Sequence, residues 1–180
     1  MRIEKDNSVG LIIDIQERLV PVMKGKEKFL LNSCRLIMGL NELNVPLLIT
    51  QQYSKGLGET LPEISTLIGN FNPIEKTSFS CYDEPGFVEA LENVSAKNVI
   101  ICGIESHVCV LQTAVDLKAA GYNPIVVFDC ISSRTKKNLK LALERFRFEG
   151  IMVTSYESIL FELTRGAGDP SFKAISKLVK

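Results

Sequence analysis

Short, nearly uninterrupted apolar runs alternate along this chain with longer segments whose apolar residues recur at helical spacing. Residues 8–15 (SVGLIIDI), 45–50 (VPLLIT), 98–102 (NVIIC), 123–128 (NPIVVF) and 151–154 (IMVT) are rich in β-branched residues, the mark of strands buried on both faces. A further strand is expected over 71–75. Residues 26–43 carry Phe29, Leu30, Leu36, Ile37, Leu40 and Leu43 on one helical face, and Asn44 is a stop. Helices are also predicted from Glu84 and Pro85, over 110–120 ending at Gly121, and over 136–148 ending at Gly150. The tail holds a segment at 158–163, a glycine-rich break at 166–168 and a last helix from Pro170. Residues 51–62 (QQYSKGLGETLP) read as a long surface loop, a candidate lid or pocket wall.

Strands alternating with helices predict an α/β fold with an open, mostly parallel sheet. Right-handed crossovers then bring every strand's carboxyl end to one edge, where ligands of such sheets bind. Neither repeat nor linker divides the 180 residues, so a single domain over 1–180 is expected.

Polar residues gather at that edge. Asp14 ends the first strand, Lys76 the third and Asp129 the fifth, and Cys109 lies where the fourth strand passes into a helix through Gly103, Ile104, Glu105, Ser106, His107 and Val108. A helix N-terminus offers free N–H groups and the positive end of a dipole, which favour a thiolate and can receive an oxyanion. Taken alone, Cys109 is equally read as a small apolar residue closing the core. With the others it forms a nucleophile site, since a thiol needs a base to take its proton and a cation beside the thiolate. His107, the only histidine, is two residues from Cys109, a spacing at which side chains diverge, so Asp14 is the better base.

Charge and cysteine usage narrow the function classes. Lys+Arg and Asp+Glu balance at 21 each, so no net field recruits nucleic acid or an anionic membrane. Arg134, Lys136, Lys137 and Lys140 read as a solvated helix face. No signal peptide or bilayer-length apolar run is seen, and a cytosolic protein is expected. Cys34, Cys81, Cys102, Cys109 and Cys130 are odd in number and form no CxxC pair, which argues against a disulfide framework; with one histidine, no metal site is expected.

Asp14 in IIDIQERL, Lys76 in EKTSFS and Cys109 in GIESHVCVLQTAVDLKAAGY resemble the three motifs of the isochorismatase-like cysteine hydrolases, in the same order. TQQYSKGLGETLPEI and VVFDCISSR are similar to the short isochorismatase-domain-containing proteins, and the likeness spans nearly the whole chain. The resemblance implies a three-layer Rossmann-like fold with a six-stranded parallel sheet, and an Asp14, Lys76, Cys109 triad. In it Asp14 takes the thiol proton, Lys76 holds the charged pair and Cys109 attacks an electrophilic carbon. It also implies a cis peptide between Ile104 and Glu105, with the N–H groups of Glu105 and Cys109 as an oxyanion hole. Tyr53, Phe79, Ile104 and His107, close to these motifs, are the expected pocket residues.

Two departures sharpen the expectation. Nicotinamidases of the superfamily hold a metal through aspartate and histidine after the second strand, and QQYSKGLGET has neither. Isochorismatases proper generally lack the cysteine that Cys109 supplies. The expected function is therefore a metal-independent, cofactor-free cysteine hydrolase of a small amide, imide or ester, working through a thioester and, by resemblance, a homo-oligomer. Its partner is a small-molecule substrate, with neither nucleic acid nor membrane. The alternative is a catalytically idle interaction protein that keeps the fold.

Overall fold

The structure, a computed structural model, describes residues 2–180. Its six strands form one all-parallel sheet in the order β3-β2-β1-β4-β5-β6: β1 Ser8–Ile13, β2 Leu47–Gln52, β3 Ile74–Lys76, β4 Asn98–Ile104, β5 Asn123–Ser132 and β6 Met152–Thr154. The helices are α1 Lys26–Glu42, two single turns α2 Ser54–Leu57 and α3 Pro62–Ser65, α4 Pro85–Val94, α5 Cys109–Ala119, α6 Lys136–Phe148, α7 Tyr156–Thr164 and α8 Phe172–Leu178. The α/β class and parallel sheet are those the sequence predicts.

The uninterrupted apolar runs arise because both sheet faces are covered. Successive residues of a strand point to opposite faces. Val9, Leu11 and Ile13 of β1 accordingly join Val99 and Ile101 of β4 beneath α4, α5 and α6. Ile12, Ile100, Cys102 and Ile104 face the other way, into the cluster beneath α1 and α7. Cys102 and Cys130 belong to that second cluster, and burial pushes the Cys102 thiol up to about 12. These two cysteines are packing residues.

Several boundaries differ from the pattern-based ones. β1 stops at Ile13, and Asp14 turns the chain at a positive φ of 53°. Pro46 stays outside β2, which runs on through Gln51 and Gln52; those residues were expected in the loop. β3 begins at Ile74 rather than Phe71, and the last helix at Phe172 rather than Pro170. β5 continues to Ser132 because it bulges: Ile101 pairs with Val126, but Gly103 pairs with Ile131.

Gly103 of β4 packs directly against the Ile13 backbone of β1, next to Asp14. Its φ is +127°, and an added Cβ would lie 2.1 Å from the Ile13 carbonyl oxygen, a backbone atom that cannot move aside. Gly103→Ala is therefore expected to lower the yield of folded protein sharply, by soluble expression and circular dichroism. A variant that folds with an unchanged melting point would show that the two strands can separate at this point.

Candidate active site

Three strands of the sheet, β1, β3 and β4, and one helix supply the site. Asp14 leaves the end of β1, Lys76 is the last residue of β3, and Cys109 is the first of α5, reached from β4 through residues 103–108. Asp14 and Lys76 have no exposed side-chain surface, and the Lys76 ammonium lies 2.7 Å from Asp14 Oδ2. Cys109 is 7% exposed. The structure thus gathers Asp14, Lys76 and Cys109, with Cys109 nearest the surface.

The two Asp14 oxygens have different partners. Thr50 Oγ1 donates to Oδ1 at 2.8 Å. Oδ2 faces the Lys76 ammonium at 2.7 Å in a buried ion pair, with the Cys109 thiol beside the carboxylate. Burial pushes the carboxyl above its ordinary value, against the pull of Lys76 and Thr50 and of the Cys109 thiol beside it.

The other two groups respond to the same environment. Burial acts to lower Lys76, but the charge of Asp14, with Cys109 and Cys81, outweighs it and holds the amine above its ordinary value. The Cys109 thiol is pushed up to about 12, chiefly by burial and then by the Asp14 charge, with Lys76 opposing. Burial and the Asp14 charge thus favour a neutral Cys109 thiol over a thiolate, against the pull of Lys76.

The turn that presents Cys109 is tightly tied. The Ile104–Glu105 peptide is cis, as the resemblance implies. The N–H and hydroxyl of Ser106 both donate to the Ser132 carbonyl, at 2.8 and 2.7 Å, and the N–H groups of Val108 and Val110 donate to the Glu105 carbonyl. The N–H groups of Glu105 and Cys109 have no protein acceptor among the described residues. Such free donors beside a nucleophile can receive an oxyanion.

The remaining expected residues divide. Tyr53 and Phe79, 53% and 55% exposed, lie on segments that touch Lys76: the Tyr53 N–H donates to the Lys76 carbonyl, and the ammonium donates to the Phe79 carbonyl at 3.3 Å. Ile104 is fully buried in the cluster beneath α1, so its side chain packs rather than lining an opening. His107 is held away by its two ring nitrogens, Nδ1 3.0 Å from Ser133 Oγ and Nε2 3.2 Å from Asn138 Nδ2. Asp129 leaves the site altogether. The β5 bulge turns it toward α7, where its Oδ1 accepts the Tyr156 N–H at 2.9 Å and caps the helix.

The 51–62 segment is tied to the residues that follow β1. Glu17 and Arg18 N–H groups donate to the Glu59 and Leu57 carbonyls, and Thr60 pairs with Gln16 in an antiparallel bridge. Grooves of about 500 Å³ between α1 and α8 and about 220 Å³ beside Phe128 and Lys28 both lie apart from the triad. Among the described residues no cluster of three His, Cys, Asp or Glu side chains is placed to hold a metal ion, and no helix is long and apolar enough to cross a membrane.

Residues 8–158 match the isochorismatase domain. The chain belongs to the isochorismatase family. Among its relatives are isochorismatase domain-containing protein 2 of Danio rerio, 35% identical over 99% of this chain and 89% of that protein, and the secreted isochorismatase effector Isc1 of Phytophthora sojae, 38% identical over 99% and 87%. A solved structure described as the MAR1 ribonuclease of Caenorhabditis elegans superposes with a TM-score of 0.93 at 36% identity, covering 99% of this chain and 92% of that one.

Sequence reasoning missed the polar side chains that hold the triad. Thr50, Gln52 and Gln16 are buried against it, and Cys81 packs beside it with Sγ 3.8 Å from Thr50 Oγ1. A signal was available in Gln51 and Gln52, which directly follow the apolar run 45–50 just as Asp14 closes its own run.

Proposed function

We propose that this protein is a metal-independent hydrolase of a small amide, imide or ester, with Cys109 as nucleophile and Asp14 as base. The observation that carries the reading is the buried Asp14 carboxylate, ion-paired through Oδ2 to Lys76 and adjacent to the Cys109 thiol. In the first step the Cys109 sulfur bonds to the substrate carbonyl carbon as the thiol proton passes to Asp14. Lys76 stays charged and keeps Asp14 ionised until that moment. The N–H groups of Glu105 and Cys109 receive the oxyanion, each such donor contributing about 3 kcal/mol to transition-state stabilisation. As the tetrahedral carbon collapses, the departing nitrogen or oxygen takes the proton from Asp14, leaving a thioester. Asp14 then removes a proton from water as it attacks the thioester, and as the C–S bond breaks Asp14 returns that proton to the Cys109 sulfur and the acid is released.

A base that must be ionised and a thiol that starts neutral set the pH dependence. Hydrolysis falls as pH drops through the Asp14 value, which burial places above the ordinary 3.8. No further rise is expected near the ordinary cysteine value of 9.0, because the Cys109 thiol loses its proton only at about 12. The test is kcat/KM from about pH 4 to pH 10, spanning ordinary carboxylate and thiol values, on a panel of small amides, imides and esters. A profile that instead climbs through the ordinary thiol range would make a preformed thiolate the reactant and sink this assignment.

RNA belongs in the same panel, because the similar C. elegans protein is described as a ribonuclease. Cleavage of RNA that survives removal of the Cys109 thiol would replace the acyl-transfer reading. The homo-oligomer expected from the resemblance and the cytosolic location expected from the sequence are checked by light scattering and cell fractionation; the Phytophthora relative is described as secreted.

A further inference from the structure

A buried pair of glutamines stands behind Lys76. Gln52 Oε1 accepts from the Lys76 ammonium at 2.5 Å, and Gln52 Nε2 donates to the Thr77 carbonyl at 2.9 Å. A carbonyl can only accept, so the second bond fixes which end of the amide faces the lysine. The Gln52 backbone is held in turn: its N–H donates to Gln16 Oε1 at 2.7 Å, and Gln16 Nε2 donates back to the Gln52 carbonyl at 3.0 Å and to the Gly58 carbonyl at 2.7 Å. Gln16 is fully buried and Gln52 nearly so.

We infer that Gln52 is a positioning residue of the candidate active site, clamped by Gln16 so that its amide oxygen holds the Lys76 ammonium against Asp14. The inference rests on the hydrolase reading above and assigns Gln52 no contact with substrate.

An ammonium has three protons, and Lys76 meets four acceptors: Asp14 Oδ2, Gln52 Oε1 and the carbonyls of Ser78 and Phe79. The two carbonyls, at 3.2 and 3.3 Å, are the longer contacts, so Gln52 and Asp14 dominate the placement of the charge. Gln52 is also neutral. A carboxylate at that position would compete with Asp14 for the same cation, whereas an amide orients the cation and leaves its charge to Asp14. The Gln16 clamp links this arrangement to the 53–60 segment through Gly58, so the loop and the triad share one support.

Two variants test the inference: Gln52→Met, which removes the oxygen with little change of volume, and Gln52→Glu, which keeps the shape and adds a charge. Two readouts are taken on folded protein: hydrolysis, as kcat and KM, and the rate at which iodoacetamide alkylates Cys109, followed by peptide mass at about pH 9, within the ordinary titration range of a thiol. Both variants are expected to lose about tenfold or more in kcat with KM within about twofold, as when a catalytic group is misplaced by a fraction of an ångström. Both are also expected to alkylate more slowly, because a displaced or shared Lys76 stabilises the thiolate less. A residue that only filled space would leave the near-isosteric Gln52→Glu unchanged in both readouts. Rates within about twofold of the parent in either folded variant overturn the inference, and so does loss of the fold in both, which would make Gln52 a core residue. Should the parent hydrolyse nothing on the panel while the variants still slow alkylation, the hydrolase reading falls and the positioning role stands. If the parent hydrolyses a substrate and the variants match it, the reverse holds.

Discussion

Cys109→Ala is expected to abolish hydrolysis, lowering kcat by about four to six orders of magnitude, while the protein keeps its melting point within a few degrees. The size follows from the chemistry: without sulfur no thioester forms, and Asp14 and the free N–H groups retain only the weak rate enhancement of a site that has lost its nucleophile. The small change in stability follows from packing. Cys109 is a small member of the cluster beneath α4, α5 and α6, and a neutral thiol contributes no ion pair. Intact-mass measurement after incubation with iodoacetamide or a small aldehyde supplies a second readout: the adduct that peptide mapping places at Cys109 in the parent is absent from the variant. Hydrolysis that persists in the variant at more than about one hundredth of the parent rate would remove Cys109 from the mechanism. Equal partner binding and equal cellular effect of the two proteins would favour an interaction protein that keeps the fold.

Lys76→Met is expected to be among the most destabilising substitutions in the chain, even though the side chain is nearly isosteric. It leaves the Asp14 carboxylate buried with no counter-charge, a loss of about 3 to 5 kcal/mol. For a chain of this size that corresponds to a melting point lowered by roughly 6 to 20 °C. Adding Asp14→Asn removes the stranded charge and is expected to recover much of the loss without restoring activity. The pH dependence has a definite sign. In the single variant Asp14 has a folded-state value raised well above its unfolded one, so the folded state binds its proton more readily. The deficit is then largest at neutral pH and shrinks as pH falls through that raised value. Thermal melts of the single and double variants across that range measure it. A single-variant cost below about 1 kcal/mol, the range of an exposed ion pair, would mean that water reaches the site.

The strand carboxyl ends were legible for a simple reason. Parallel strands joined by right-handed crossovers have no other arrangement of their ends, so polar residues that close apolar runs must share an edge. Asp14, Lys76 and Cys109 obey that rule. Asp129 shows its limit: it also closes an apolar run, but the bulge that realigns β5 after Val126 carries it to α7, and a bulge leaves no mark in a pattern of apolar residues. Ile104 shows the same limit on a smaller scale, since its place near the motif says nothing about which sheet face its side chain takes.

By itself, the sequence determined the α/β class, the buried parallel strands, the turn that carries Cys109 and the three groups that meet at the sheet edge, because periodicity and chain direction are local properties with global consequences. Tertiary structure alone decided what those groups are like. Burial, set by what packs on both faces, raises the Asp14 carboxyl and keeps the Cys109 thiol neutral. Contacts across 36 and 24 residues of chain make Thr50 a partner of Asp14 and Gln52 a partner of Lys76. Whether a polar side chain after a strand points into solvent or at a buried charge depends on the neighbouring strand's register, which no single segment contains.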